Sequence, residues 1–135
     1  MDANILFSAC KRAGAMSRLL DECLKQKCLL VADGYVWAEA EKNLAAKYPE
    51  GLDRLTELKG ICEMAVPSRN TAFFTDILPL LPEKDLPVLA SSIEAACEVL
   101  VTGDKKHFGP LYGQVIHGVR ILSPAMLFEM LDQNW

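Results

Sequence analysis

The sequence contains no hydrophobic run that approaches the roughly 20 residues of a membrane-spanning helix. Its first apolar stretch, residues 5–9, is too short for a secretion signal, and Asp2 precedes it where a signal carries basic residues. Repeats, low-complexity tracts and linkers are also absent. The 135 residues are enough for one domain with a hydrophobic core and too few for two. We therefore expect a single domain over residues 1–135, in a cytoplasmic protein without membrane contact.

Paired cysteine motifs are missing as well. The five cysteines are an odd number and form no CxxC pair. Cys23 and Cys28 are spaced poorly for zinc ligands, and neither His107 nor His117 lies near them in sequence. Most of the cysteines have apolar neighbours, which is typical of reduced, buried thiols in a cytosolic protein. We therefore expect neither a disulfide framework nor a structural zinc site.

Positive charge is in deficit. The chain has 14 Lys and Arg against 18 Asp and Glu, a net charge of −4, which argues against a generally basic nucleic-acid-binding surface. A local basic rim around an acidic metal site stays compatible with this balance, because a bound cation reverses the local sign of the field that a phosphate meets. About half the residues are hydrophobic and a quarter charged, as in an ordinary soluble domain.

Short apolar runs alternate with helical patterns. Four runs have the length and composition of strands, and their lack of polar alternation suits a parallel sheet buried on both faces: residues 28–32, 64–66, 99–102 and 119–122. Four polar residues are placed to cap helices: Ser17, Asp33, Asp85 and Ser123. Residues 52–62 and 71–81 are also predicted to be helical. The alternation predicts an α/β protein, a three-layer α/β/α sandwich around a parallel sheet whose ligands bind beyond the carboxyl ends of the strands.

Acidic residues recur at the ends of these elements and on helix faces: Asp2, Glu39, Glu41, Asp85 and Asp104. If the fold brings them together, they form an oxygen-rich pocket suited to Mg²⁺ or Mn²⁺. Asp104 directly follows a predicted strand, whereas Asp85 is equally placed to cap a helix and Asp2 to be solvated. Glu39 and Glu41 point about 200° apart on a helix, so only one of them can face such a pocket.

The order and spacing of four stretches resemble the PIN-domain nucleases: residues 1–9, 35–44, 85–90 and 100–105. The resemblance spans nearly the whole chain and implies a central parallel sheet of about four to five strands. Its first and fourth strands would be neighbours and would bring Asp2 close to Asp104. Family members usually have several apolar residues ahead of the first aspartate, forming the central strand. Here only Met1 precedes Asp2, so that strand would be shortened or lie upstream.

The resemblance also implies a set of site residues. Four carboxylates would be catalytic and would bind Mg²⁺ or Mn²⁺: Asp2, Glu39, Asp85 and Asp104. The family pattern favours Glu39 over Glu41. Thr102 would support the site by hydrogen bonding to a metal-bound water, and Asn4 would orient Asp2 or open the first helix.

The function expected from the resemblance is a metal-dependent endoribonuclease. It would hydrolyse RNA phosphodiester bonds with a metal-activated water, and many relatives are toxins of toxin–antitoxin pairs. Expected partners are therefore an RNA substrate, an antitoxin protein and a second copy in a homodimer. One alternative is a catalytically inactive PIN-fold module that binds RNA or a protein partner. A phosphatase with an aspartyl nucleophile is less favoured, because Asn4 replaces the second acidic residue of its Asp-x-Asp motif.

Overall fold

The computed structural model describes residues 1–11, 14–65 and 75–133 and shows a mixed α/β protein. Its helices are α1 (Ala3–Ala9), α2 (Ala15–Lys25), α3 (Gly34–Lys47), α4 (Leu52–Ile61), α5 (Leu86–Glu94), α6 (Lys105–Phe108) and α7 (Pro124–Asp132). Its strands are β1 (Val31–Asp33), β2 (Glu63–Ala65), β3 (Val99–Val101), β4 (Val115–Ile116) and β5 (Val119–Leu122). None of these helices is long and apolar enough to cross a membrane.

Two of the predicted caps are confirmed by side-chain hydrogen bonds. The Asp33 carboxylate accepts from the backbone N–H of Val36 at 2.8 Å and starts α3. The Ser123 hydroxyl oxygen accepts from the N–H of Met126 at 3.1 Å and starts α7, which has Pro124 in its first turn. Each bond satisfies an amide that the first turn of a helix leaves without a partner.

Two helix predictions need correction. Ser17 does not cap α2, because the helix already begins at Ala15 after Gly14, and good helix formers occupy its first turn. Within 71–81, the first four residues lie outside the described part of the chain, and the remainder forms a turn and a 3-10 helix at Leu78–Leu80. Pro79 lacks the N–H that a longer helix would need there.

The described strands form two sheets and not a single central one. β1 pairs in parallel with β2, whereas β3 pairs in parallel with β5, which also pairs with β4. The β4–β5 pair is antiparallel and was not predicted. Its tight turn is made by His117 and Gly118, whose φ angles are 48° and 83°, as a two-residue hairpin with the favoured twist requires.

Met1 lies between the two sheets. Its α-amino nitrogen donates to the carbonyl oxygen of Val31 in β1 at 3.1 Å, and its side chain is buried. The next residue, Asp2, already caps α1. The chain enters α1 directly after Met1, and no ladder joins β1 to β3, so the expected sheet of four to five parallel strands does not form among the described residues.

Two hydrophobic clusters hold the elements together. The larger one packs α1, α2, α3, α4 and α7 around Leu6, Leu20, Trp37, Leu44, Leu58 and Leu131. The smaller one packs α5 against the β3–β5–β4 sheet through Ile77, Leu89, Leu100, Phe108 and Ile121. Trp37 also donates from Nε1 to the carbonyl oxygen of Ala32 at 3.1 Å, which fixes α3 against β1.

Candidate metal centre

Three side chains of types that can ligate a metal converge beyond the carboxyl end of β3. Asp85, Asp104 and His107 each offer one ligand atom, and these atoms lie within 4.8 Å of one another. In the part of the chain that the structure describes, no other group of three such residues is as close. The location is the one expected for a ligand site in an α/β fold.

Asp104 and His107 are brought together by the short helix α6. Asp104 is its N-cap, and the carboxylate Oδ1 accepts from the backbone N–H of His107 at 3.2 Å. This bond fixes His107 one turn away, and its ring Nδ1 lies 2.8 Å from Asp104 Oδ2. The local sequence therefore builds a close carboxylate–imidazole pair.

Asp85 reaches this group from the start of α5. It occupies the N-cap position, but its side chain makes no capping bond. Its Oδ2 lies 3.0 Å from His107 Nδ1 and yet has no hydrogen-bond partner. The ring Nδ1 carries at most one proton, which it can donate to only one carboxylate. The geometry directs this nitrogen toward Asp104, so Asp85 Oδ2 lies close to Nδ1 without a hydrogen bond to it.

The Asp85 oxygen without a hydrogen-bond partner tests whether a cation fits this group of side chains. Among the described residues, Asp85 Oδ2 is the only buried side-chain oxygen or nitrogen without a hydrogen bond. Leaving a buried carboxylate oxygen without a partner is costly, more so than for an uncharged group. Carboxylate oxygens suit Mg²⁺ and Mn²⁺, and an imidazole nitrogen is a common ligand of divalent transition metals. The residues present therefore fit a divalent cation.

Asp2 is tied to this cluster through Thr102. The Thr102 hydroxyl donates to Asp2 Oδ2 and accepts from the backbone N–H of Asp104 at 3.1 Å. Asp2 Oδ1 accepts from the N–H of Ile5 at 3.3 Å, which caps α1. Thr102 is completely buried, so it sets the relative positions of the two aspartates.

The surroundings of Asp2 disfavour its charged form. Burial raises the pKa of the Asp2 carboxyl, and the negative charge of Asp104 adds to this rise, although the hydrogen bonds from Thr102 and Ile5 oppose it. Tyr112 feels the same field: burial, followed by the charges of Asp2 and Asp104, raises the pKa of its phenol. Its hydroxyl donates to the Thr102 carbonyl oxygen at 2.9 Å.

The other predicted residues lie elsewhere. Glu39 is exposed on α3 and is not part of the close group. Glu41 is exposed too and lies 3.6 Å from the ammonium of Lys59. Asn4 is exposed in the first turn of α1, and the described residues show no hydrogen bond between it and Asp2. The metal-binding role of Glu39 therefore stays a prediction.

Two residues of the site were not assigned to it from the sequence. His107 follows Asp104 by three positions, and this spacing is the local signal that both share one face of a helix. Tyr112 follows no motif, and only the fold brings it to Thr102.

Comparison with known proteins adds no relative. No family model matches the chain, and neither the curated proteins nor the solved structures contain a significant match. The site is therefore interpreted from its own geometry and from the resemblance of its motifs.

Proposed function

We propose that this protein is a metal-dependent endoribonuclease of PIN-like fold. The observation that carries the proposal is the buried Oδ2 of Asp85, which lacks a hydrogen bond and lies beside Asp104 and His107. Support also comes from the ordered motifs, since the Asp2 and Asp104 that they single out share Thr102 as a hydrogen-bond partner. A three-layer arrangement with one central sheet is part of this proposal.

Asp85, Asp104 and His107 would hold the cation, and Asp2 would complete the acidic set from α1. When bound, Mn²⁺ or Mg²⁺ lowers the pKa of a water and offsets negative charge on the phosphate that is attacked. Glu39 would join only by a movement of α3 or its side chain, because it is exposed and outside the close group.

The chain's own groups orient the site. Thr102 links the Asp2 carboxylate to Asp104, and Tyr112 fixes the backbone of Thr102 through a hydrogen bond to its carbonyl oxygen. Both oxygens of Asp2 accept hydrogen bonds, from the Ile5 N–H and from the Thr102 hydroxyl, so the orientation of this carboxylate is set before any ligand binds.

The exposed surface beside the site favours RNA as the substrate class, although the protein as a whole is acidic. Lys105 and Lys106 are both exposed in α6, directly after Asp104. They supply local positive charge for a phosphate backbone. The resemblance adds three further proposals, which are an antitoxin protein as inhibitor, a homodimer and a cytoplasmic location.

The test is cleavage of a pool of single-stranded and structured RNAs with Mn²⁺, Mg²⁺ or EDTA. Asp85→Asn and Asp104→Asn should each lower the metal-dependent rate by at least about 100-fold, because each removes a ligand charge. Asp132→Asn, which neutralises an exposed aspartate at the end of α7, is the matched control and should cut like the wild type. Cleavage that survives both site substitutions, or that persists in EDTA, would contradict the proposal.

The alternative function is a binding module of the same fold without catalysis. The exposed position of Glu39 favours it, because the described group then has two carboxylates and one imidazole in direct reach of a cation. In that case, the folded protein would retain RNA in a filter-binding assay and would leave it intact at every metal concentration.

A further inference from the structure

The carboxyl end of α2 brings two cysteines together. The backbone N–H of Cys28 donates to the carbonyl oxygen of Cys23 at 2.8 Å, and the N–H of Lys27 donates to the carbonyl oxygen of Leu24 at 3.0 Å. These two bonds define a Schellman motif, in which the side chains at the positions of Cys23 and Cys28 contact each other. In most helices this contact joins two apolar side chains, whereas here it joins two thiols.

Lys27 takes the backbone conformation that closes this motif. Its φ angle is 62°, in the left-handed region where glycine is the usual residue and a side chain is unfavourable. Such a conformation persists where the surrounding structure holds it. Gln26 supplies one such anchor, because its side-chain Nε2 donates to the carbonyl oxygen of Leu131 in α7 at 3.1 Å. The fold therefore keeps the two cysteines together in spite of local strain.

The two thiols also affect each other's protonation. Burial, followed by the neighbouring Cys28 thiol, raises the pKa of Cys23 to about 12. Burial raises the pKa of the Cys28 thiol as well, but a hydrogen bond from Cys23 opposes this rise. Cys23 is thus the donor in the thiol pair, and Cys28 is the thiol that gives up its proton more readily.

A groove gives access to the pair. Its cavity has a volume of about 900 Å³, and both cysteines line it. Cys23 is only 2% exposed, whereas Cys28 is partly exposed, and both thiols are free. A small reagent in the groove therefore meets Cys28 first, with Cys23 in contact with it.

We propose that Cys23 and Cys28 form a site of reversible oxidation, at which a low-molecular-weight disulfide converts the two thiols into an intramolecular disulfide. Paired thiols that are oxidised only transiently are typical of redox-sensing sites in reducing compartments. The site shares no residue with the cluster of Asp85, Asp104 and His107. The proposal is therefore independent of the proposed nuclease activity.

The reaction is a thiol–disulfide exchange in two steps. Cys28 loses its proton to solvent, and its sulfur attacks one sulfur of the reagent. A mixed disulfide forms, the reagent's S–S bond breaks, and the first thiolate leaves and takes up a proton. Cys23 then loses its proton and attacks the Cys28 Sγ, and the second thiolate leaves and is protonated in turn. The two protein thiols lose two electrons in total, and the reagent is reduced to two thiols.

The test measures the ratio of disulfide to dithiol in buffers of reduced and oxidised glutathione. Acid quenching, alkylation and peptide mass mapping give this ratio for the folded chain and, as the reference, for the same chain in urea. In a given buffer the ratio should be at least about tenfold higher in the folded chain, because the helix cap already holds the thiols in contact. A ratio in the folded chain that is equal to or below that in urea would overturn the proposal.

Substitutions identify the pair and the order of the steps. Cys97→Ser removes a thiol that lines the same groove, and as the matched control it should form the disulfide like the wild type. Cys23→Ala should stop at the mixed disulfide on Cys28 and release one equivalent of reduced glutathione, whereas the wild type releases two. A disulfide mapped to any other pair of cysteines, or two equivalents released by Cys23→Ala, would contradict the assignment.

Reversal with dithiothreitol completes the test. The oxidised chain should regain both thiols with its circular dichroism spectrum unchanged, because the disulfide adds a bond to a cap that is already closed. A loss of helical signal on oxidation would show that the disulfide needs a different fold and would also overturn the proposal. None of these readouts uses RNA or added metal, so their failure would leave the nuclease proposal standing.

Discussion

Replacing Thr102 by valine removes one hydroxyl and two hydrogen bonds while nearly conserving shape. The hydroxyl donates to the Asp2 carboxylate and accepts from the Asp104 N–H, and the residue is 0% exposed. Water cannot readily replace either bond at a fully buried position. Thr102→Val therefore isolates the polar link between the two aspartates.

The expected loss follows from these two bonds. A hydrogen bond to a charged group contributes about 1.5–3 kcal/mol, and a buried N–H without an acceptor costs about 1 kcal/mol or more. Thr102→Val should therefore lower the free energy of unfolding by roughly 3 kcal/mol at pH 7. For a chain of this length, that corresponds to a Tm decrease of about 10 °C.

Urea unfolding followed by circular dichroism measures this loss. Thr102→Ser keeps the hydroxyl and should lose only about 1 kcal/mol, for the missing methyl group. Thr56→Val, which removes an exposed hydroxyl bonded to Leu52 within α4, should change stability by less than about 0.5 kcal/mol. A Thr102→Val loss no larger than that of Thr102→Ser would refute the coupling of Asp2 and Asp104 through this hydroxyl.

Three further predictions concern charge, thiols and the hairpin. Burial raises the pKa of Asp2 above its usual 3.8, so its contribution to stability is fully present below pH 3.8 and is lost as pH rises through the folded-state pKa. Asp2→Asn should therefore gain stability over the wild type in urea unfolding at pH 7 and not at pH 3; an equal difference at both would contradict this. Burial raises the pKa of Cys10 to about 11 and of Cys23 to about 12. Iodoacetamide at pH 8 should therefore label both thiols far more slowly in the native protein than in the urea-unfolded protein, as measured by mass spectrometry. Equal labelling rates in the two states would refute the burial of these thiols. Gly118→Ala should cost about 1 kcal/mol in the same unfolding assay, because φ is +83° there and nothing lies within 4 Å of the added Cβ; an unchanged midpoint would show that the turn is relaxed.

Local chemistry made much of the fold predictable. Asp33 and Ser123 stand before apolar positions with helical spacing, and both cap the helices expected from them. The run 119–122 forms β5 with the predicted bounds. Such signals depend on neighbours a few residues away, which a sequence displays directly.

Strand pairing was less accessible, because it depends on long-range contacts. The separation of β1 from β3 is of this kind, because neither strand's own residues indicate which neighbour it pairs with. The antiparallel β4 is a two-residue strand, too short for an alternation pattern, and the His117–Gly118 turn is its only local signal.

The candidate site was likewise predictable only in part, where local motifs define it. Asp104 and Asp85 were identified from motifs, and the fold brings both to His107. An N-cap position could not reveal that Asp85 makes no capping bond and keeps a buried oxygen free. The contact between Asp2 and Thr102 joins residues 100 positions apart, so no local pattern could show its hydrogen bond. Glu39, singled out by the family pattern alone, is exposed.

The claim that supports the rest is that Asp85, Asp104 and His107 form a divalent-cation site. Isothermal titration calorimetry with Mn²⁺ tests it without any assumption about the substrate. The wild type and Asp132→Asn should bind with the same affinity, and Asp85→Asn should bind at least about tenfold more weakly, a loss of about 1.4 kcal/mol. Absence of binding to the folded wild type, or equal binding by Asp85→Asn, would contradict the metal centre.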